Sequence, residues 1–358
     1  MIIYYIIFFI LSYLAYKEIN NPKPLNIFNF IILSLIFTVF IGLRNEIGCD
    51  WDGIKKLFER ANCIQNDACF STIEYLKFKE IGYSFINLFI RRIGGNIYLL
   101  NFVLSLFFVL PLLKFCSTLK RPFLAILISY PYLITVIGLG TIRQSISIAF
   151  LMLCIYELKH HRLYKYYFYN LIAILFHYSS LVFLFIPLTI NLKRWLKLKK
   201  NFKVLYISLL IIPILYLFFN NYFIELINTY RFYDQTDTFK TPLIIWAMIS
   251  LPSAIILCNY KYYKDDDKNK FWRNYSILGI LMIFTIFINS IISLRLLFYF
   301  IPIKIYALSN LPKVGLFSIS TKNTYLTIII FSFSILTVWL NFANHSYCYI
   351  PYKNLLLK

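Results

Sequence analysis

Residues 41–53, IGLRNEIGCDWDG, place one arginine and three acids directly after an apolar run of membrane length. Charge in that position costs free energy unless something holds it or uses it. Arg143 and Gln144 open another apolar run in TIRQSISIAF, Arg231 sits in NTYRFYD, and Arg295 lies between two apolar runs in IISLRLLFYF. Arginine carries a planar fork of donors that matches phosphate oxygens and stays charged when partly desolvated. Arg44, Arg143, Arg231 and Arg295, with Gln144, are therefore candidates to bind a phosphate or diphosphate and the sugar attached to it. Asp50 and His177 are candidates to accept a proton or a hydrogen bond, since carboxylates and imidazoles both serve as general bases. The sequence leaves the choice between those two open.

Each of these residues also has a plainer reading. A single arginine at a helix end can anchor the helix by extending its head into the interface. A lone histidine among apolar residues, such as His177 in AILFHYSS, is more often a hydrogen-bonded structural group. Asp50 and Asp52 form an Asp-x-Asp, a pattern that holds a divalent metal on diphosphate in many sugar transferases. On a helix, however, two such residues project about 200° apart. A metal there is disfavoured, no cofactor is expected, and Glu46 and Asp52 read as solvated loop acids. The seven cysteines show no paired CxxC and no Cys/His metal spacing. Cys63 and Cys69 are close enough to pair if their loop meets an oxidising compartment.

The elements that must carry these residues follow from composition. The chain is 60% hydrophobic and 14% charged, whereas soluble domains are about a quarter charged. A membrane-crossing helix needs roughly 20 mostly apolar residues, and such runs recur at about 1–16, 27–43, 97–113, 122–140, 142–157, 164–176, 178–190, 204–219, 242–260, 274–293, 296–311 and 325–342. The expected fold is an all-α integral membrane protein, a polytopic bundle of about 10–12 transmembrane or re-entrant helices forming a single domain over 1–358. The first run lacks the basic start and cleavage site of a signal peptide and reads as a retained helix.

Net charge is +21. The basic residues lie in short links beside apolar runs, which is the positive-inside pattern rather than a nucleic-acid surface. Links 17–26, 114–121, 157–165, 191–203, 261–273 and 312–322 hold 21 Lys and Arg against five acids and are assigned to the cytoplasm. Both chain ends then face outward, as do a long loop, 44–96, and a second outer loop, 220–241. Phe85, Leu88 and Phe89, at helical spacing ahead of Arg91 and Arg92, suit an amphipathic helix in the interface. Reading 164–190 as one span would put the six basic residues of 191–203 outside, so a broken hairpin with His177 at its turn is preferred. On this topology the candidate arginines gather at the outer face, where positive charge should be depleted.

Four stretches carry a family resemblance. GLRNEIGCDWDGIKKLFE, GLGTIRQSISIAFLMLCIYEL, LIAILFHYSSLVFLFIPL and SLRLLFYF resemble, in order, the arginine-to-aspartate signature, the Arg-Gln span, the Phe-His-x-Ser segment and the late arginine-aromatic segment of EpsG-like polysaccharide polymerases. The likeness covers nearly the whole chain and departs from the family pattern at Cys49, at Asn45 and at Ile54 to Lys56, which lack the tyrosine expected downstream of Asp50. It implies a Wzy-type membrane glycosyltransferase that polymerises undecaprenyl-diphosphate-linked oligosaccharide units into O-antigen, capsule or exopolysaccharide. Such an enzyme works at the outer face of the bacterial inner membrane, among membrane lipids, with a chain-length regulator and a flippase of the same pathway as further partners. A flippase or transporter of lipid-linked oligosaccharide, or an O-antigen ligase, is the alternative. No nucleic-acid partner is implied.

Overall fold

The computed structural model describes residues 1–65, 80–187, 240–259, 267–287, 289–314 and 320–357. Among them regular structure is helical, with no strand and a single isolated bridge between Arg44 and Asn354. Four described helices are long and apolar enough to cross a membrane: Ile97–Ser117, Lys240–Cys258, Ser290–Pro312 and Thr321–Phe342. The protein is an all-α membrane protein, as its composition requires. Arg231, the second outer loop up to residue 239 and the expected run at 204–219 lie outside the described residues, as does Cys69.

The helices are α1 (Ile2–Lys17), α2 (Ile27–Gly42), α3 (Trp51–Gln65), α4 (Ile81–Arg92), α5 (Ile97–Ser117), α6 (Pro122–Ser129), α7 (Ile142–Lys159) and α8 (Leu163–Phe176). They are followed by α9 (Lys240–Cys258), α10 (Asp267–Leu281), α11 (Ser290–Leu297), α12 (Ile301–Val314) and α13 (Thr321–Phe342). Two compact units result. The first holds residues 1–157, 162–178 and 308–358, and the second 158–161 and 179–307.

In the first unit α2 packs along α5, α1 along α6, and α13 against both α6 and α1. Pro131 cannot donate a backbone hydrogen bond, and α6 passes there into a π-helical stretch, Tyr130–Gly138. Helices α3 and α4 pack together, and α4 also rests on α8. Leu88 of α4 is buried, while Phe85 and Phe89 are exposed. At the end of α1 the buried carboxylate of Glu18 accepts from Phe123 N–H at 3.3 Å and Leu124 N–H at 3.1 Å, satisfying amides that begin α6.

Residues after α13 return across the end of α2. Tyr352 donates to Phe40 O at 2.7 Å, Asn354 Nδ2 donates to Val39 O at 3.1 Å, and Leu355 N–H donates to Leu43 O at 2.9 Å. Tyr4 donates to Tyr349 O at 2.8 Å and fixes the start of α1 to the same strap. A disulfide between Cys49 and Cys348, 299 residues apart, closes the arrangement. Sequence spacing gives no sign of this bond, because backbone packing brings Cys49 to a segment far along the chain. The pairing considered for Cys63 and Cys69 falls on side chains outside those described.

The second unit contains α9, packed on α10 and α11. Here the run expected at 274–293 is interrupted. Asn289 accepts from the amides of Ile291 and Ile292 as an N-cap, so a new helix starts at Ser290 rather than after Arg295. Arg295 therefore lies inside a helical stretch running from Ser290 to Val314, and not in a link between two spans. Hydropathy cannot see a cap, because one asparagine barely alters an apolar window. Trp272 and Tyr306 stack in this unit at 3.9 Å, with Lys159 Nζ 5.2 Å from the Tyr306 ring centre.

Candidate functional site

The site is built around the turn between α2 and α3. Leu43 caps the end of α2, and Arg44 next to it folds back toward the helix. The Arg44 Nε donates to Ile47 O at 3.1 Å and its Nη1 to Ile41 O at 2.9 Å, while Nη2 has no hydrogen-bond partner among the described residues. No part of Arg44 is solvent-exposed. Burial pulls the guanidinium down to about 10, with Tyr349, Tyr352 and Asp50 resisting, so it remains charged at neutral pH. Arg44 thus holds the turn through its donors and keeps a buried positive charge beneath it.

Gly48 makes that turn possible. Its φ of +93° lies in the left-handed region, and a side chain there would strike Leu139 O. Its N–H donates to Cys348 O at 2.9 Å, beside the disulfide. Asp50 immediately precedes α3, with its backbone oxygen accepting from Ile54 N–H at 2.9 Å. Asp50 and Asp52 are both exposed. Glu46, expected to be solvated without a partner, is exposed but bonds Lys353 Nζ at 2.8 Å.

Arg143 and Gln144 come from the first turn of α7. Gln144 is buried. The Arg143 side chain keeps 26% of its surface exposed and pairs through Nη1 with Glu80, whose side chain is only 4% exposed. The Arg143 guanidinium also sits 5.3 Å from the ring centre of Tyr83. His177 follows α8, where the chain leaves helical geometry at φ −158°, ψ 116°, and its N–H donates to Ala173 O. This is the break expected in the 164–190 run. Gly82 lets α4 approach Leu175 O, only two residues before His177, which brings Glu80 into the field of the imidazole.

Electrostatic reach shows how these residues group. Asp50 acts on both Arg44 and Arg143, and Tyr83 likewise lies within reach of both. Burial opposes ionisation of Glu80, but the charges of Arg143 and His177 outweigh it and hold the carboxyl below its ordinary range. Four residues singled out from sequence, Arg44, Asp50, Arg143 and His177, thus converge in one unit from three separate stretches. Arg295 belongs to the other unit. Among the described residues, no group of three or more His, Cys, Asp or Glu side chains has the arrangement of a metal site.

Sequence reasoning missed Glu80, Tyr83 and the Cys49–Cys348 bond. Glu80 stands just before an amphipathic helix, where an acid ordinarily reads as a cap. Its side chain makes no capping bond. The i, i+3 spacing of Glu80 and Tyr83 would place both on one helical face, the only local signal of their shared partner.

Compared with known proteins, the chain matches the EpsG family over residues 27–354. No curated protein and no solved structure matches it.

Proposed function

The chain belongs to the EpsG family, and from that membership we propose that it joins undecaprenyl-diphosphate-linked oligosaccharide units into a longer glycan at the outer membrane face. Family membership and the apolar helices establish a membrane protein with a polymerase-type role in polysaccharide synthesis. The observation that carries the finer reading is the convergence of Arg44, Asp50, Arg143 and His177, with one arginine partly exposed.

The reaction has two demands. A hydroxyl oxygen of the acceptor unit bonds to the anomeric carbon of the donor chain, and the bond from that carbon to the diphosphate oxygen breaks. Charge on the departing undecaprenyl diphosphate must be stabilised, and the hydroxyl proton must be taken up. Arg143 suits the first demand, because its side chain is partly exposed and its fork is already held by Glu80. Arg44 adds positive field from behind. The exposure of Asp50 supports it as the base, since an acceptor hydroxyl can reach it. His177, buried beside Glu80, suits hydrogen bonding within the cluster.

The disulfide supports the outward orientation. Stable disulfides belong to oxidising compartments, and Cys49 sits one residue from Asp50. Purified protein supplied with lipid-linked repeat units tests the proposal. Glycans longer than one unit are expected, and Arg143→Lys, which keeps charge but loses the fork, should lower turnover by on the order of 10²-fold. Transbilayer movement of the substrate without any lengthening would refute it.

A further inference from the structure

Glu80 is buried, carries charge, and is used neither as a helix cap nor in the reaction outlined above. Resting on the polymerase reading, we propose that Glu80 is a positioning residue that sets the Arg143 guanidinium toward the lipid diphosphate.

Three observations carry this. The first is an unused local option. Glu80 occupies the N-cap position of α4, where an acidic side chain is favoured by the positive end of its own helix. Its side chain forms no capping bond and instead engages Nη1 of Arg143, 63 residues away. The second is the division of exposure. Within the pair, the acid is nearly enclosed and the base is not, at 4% against 26% for the side chains. The enclosed partner is in no position to meet a substrate, while the other keeps part of its side chain open. The third is the support around the pair. Tyr83, one turn beyond Glu80, places its ring 5.3 Å from the same guanidinium, and Gly82 seats α4 directly on the end of α8. One helix terminus therefore supplies both an edge contact and a ring contact to Arg143.

A fork held this way needs no reorganisation when diphosphate charge develops, which is the source of electrostatic catalysis. Loss of the holder should thus act on turnover more than on substrate affinity. A salt bridge that served only to join α4 to α7 would act on stability and leave turnover per folded molecule intact.

The test uses full-length protein purified in detergent or nanodiscs, with lipid-linked repeat units as substrate. Glu80→Gln keeps an acceptor but removes its charge, and should lower kcat by at least about tenfold while KM changes less than about threefold. If that variant does not accumulate, Glu80→Asp serves instead: it keeps the charge but withdraws it by one methylene, with the same direction expected. Normal kcat per folded molecule in Glu80→Gln, or in its Glu80→Asp substitute, overturns the positioning role. Failure of the unmodified protein to lengthen glycans would instead overturn the polymerase reading, and this inference with it.

Discussion

Glu18 and Glu80 are both buried glutamates of the first unit, and they are held in opposite ways. The start of α1 lies beside the Tyr349 strap, so Glu18, at the far end of that helix, is about 20 Å from it at 1.5 Å per residue. Glu18 accepts from two backbone amides at the start of α6. Glu80 meets a guanidinium and lies in the field of an imidazole. The ionisation behaviour diverges accordingly. Burial raises the Glu18 carboxyl to about 7, despite the two amides and Arg121, whereas Arg143, helped by His177, holds Glu80 low against the same opposing burial. Equal burial does not make equal chemistry. Amide dipoles let an acid serve as an architectural cap, while facing charges make it part of an electrostatic assembly.

Removing the facing charge breaks the comparison most severely. Arg143→Ala strands a buried carboxylate, which should cost about 3 kcal/mol, the low end of the range for breaking a buried pair. It should also abolish detectable glycan lengthening. Thermal unfolding and ladder length measure the two effects. Glu18→Ala should be milder, at about 1–2 kcal/mol for the lost cap, with turnover per folded molecule unchanged. Lost turnover there would mean that the two ends of the unit are functionally coupled.

The pH dependence sharpens the contrast further. Between the ordinary carboxylate value of about 4.3 and about 7, folded protein holds a proton on Glu18 that the unfolded chain releases. Its contribution therefore declines as pH rises through that window, and Glu18→Gln should flatten the fall in melting temperature between about pH 5 and 7. Glu80 has the reverse sign. Its depressed value gives stability that is present above the ordinary carboxylate range and lost as pH falls through the folded value. Glu80→Gln should leave the pH 5–7 slope unaltered. The smallest effect belongs to Glu46→Gln, which removes an exposed pair with Lys353 and should not measurably shift melting temperature or ladder length.

Much of the fold was legible because helix formation is local. The apolar runs ending near residues 16 and 43 finish at Lys17 and Gly42, and the break at His177 appears where a polar residue interrupts an apolar stretch. The misplaced boundary near Arg295 has an equally local cause, a single capping asparagine. The site was legible as far as unusual residues betray themselves. Arginines at helix ends stand out, and two of them come together with Asp50. Glu80 did not stand out, since an acid before a helix has an ordinary explanation. Only its approach to Arg143 removes that explanation, and nothing in the local sequence encodes a meeting of α4 with α7. The partner of Cys49 was hidden for the same reason of distance.

The disulfide has a consequence for counting. Two bonded sulfurs occupy one side of a membrane, so the chain between Cys49 and Cys348 must cross an even number of times. That parity holds whatever the hydropathy of any individual segment. Taken with the spans read from sequence, treating 164–190 as one complete crossing makes the count odd. A broken hairpin that enters and leaves by the same side makes it even. One covalent bond at the surface thereby constrains the path of a segment more than a hundred residues away from either cysteine.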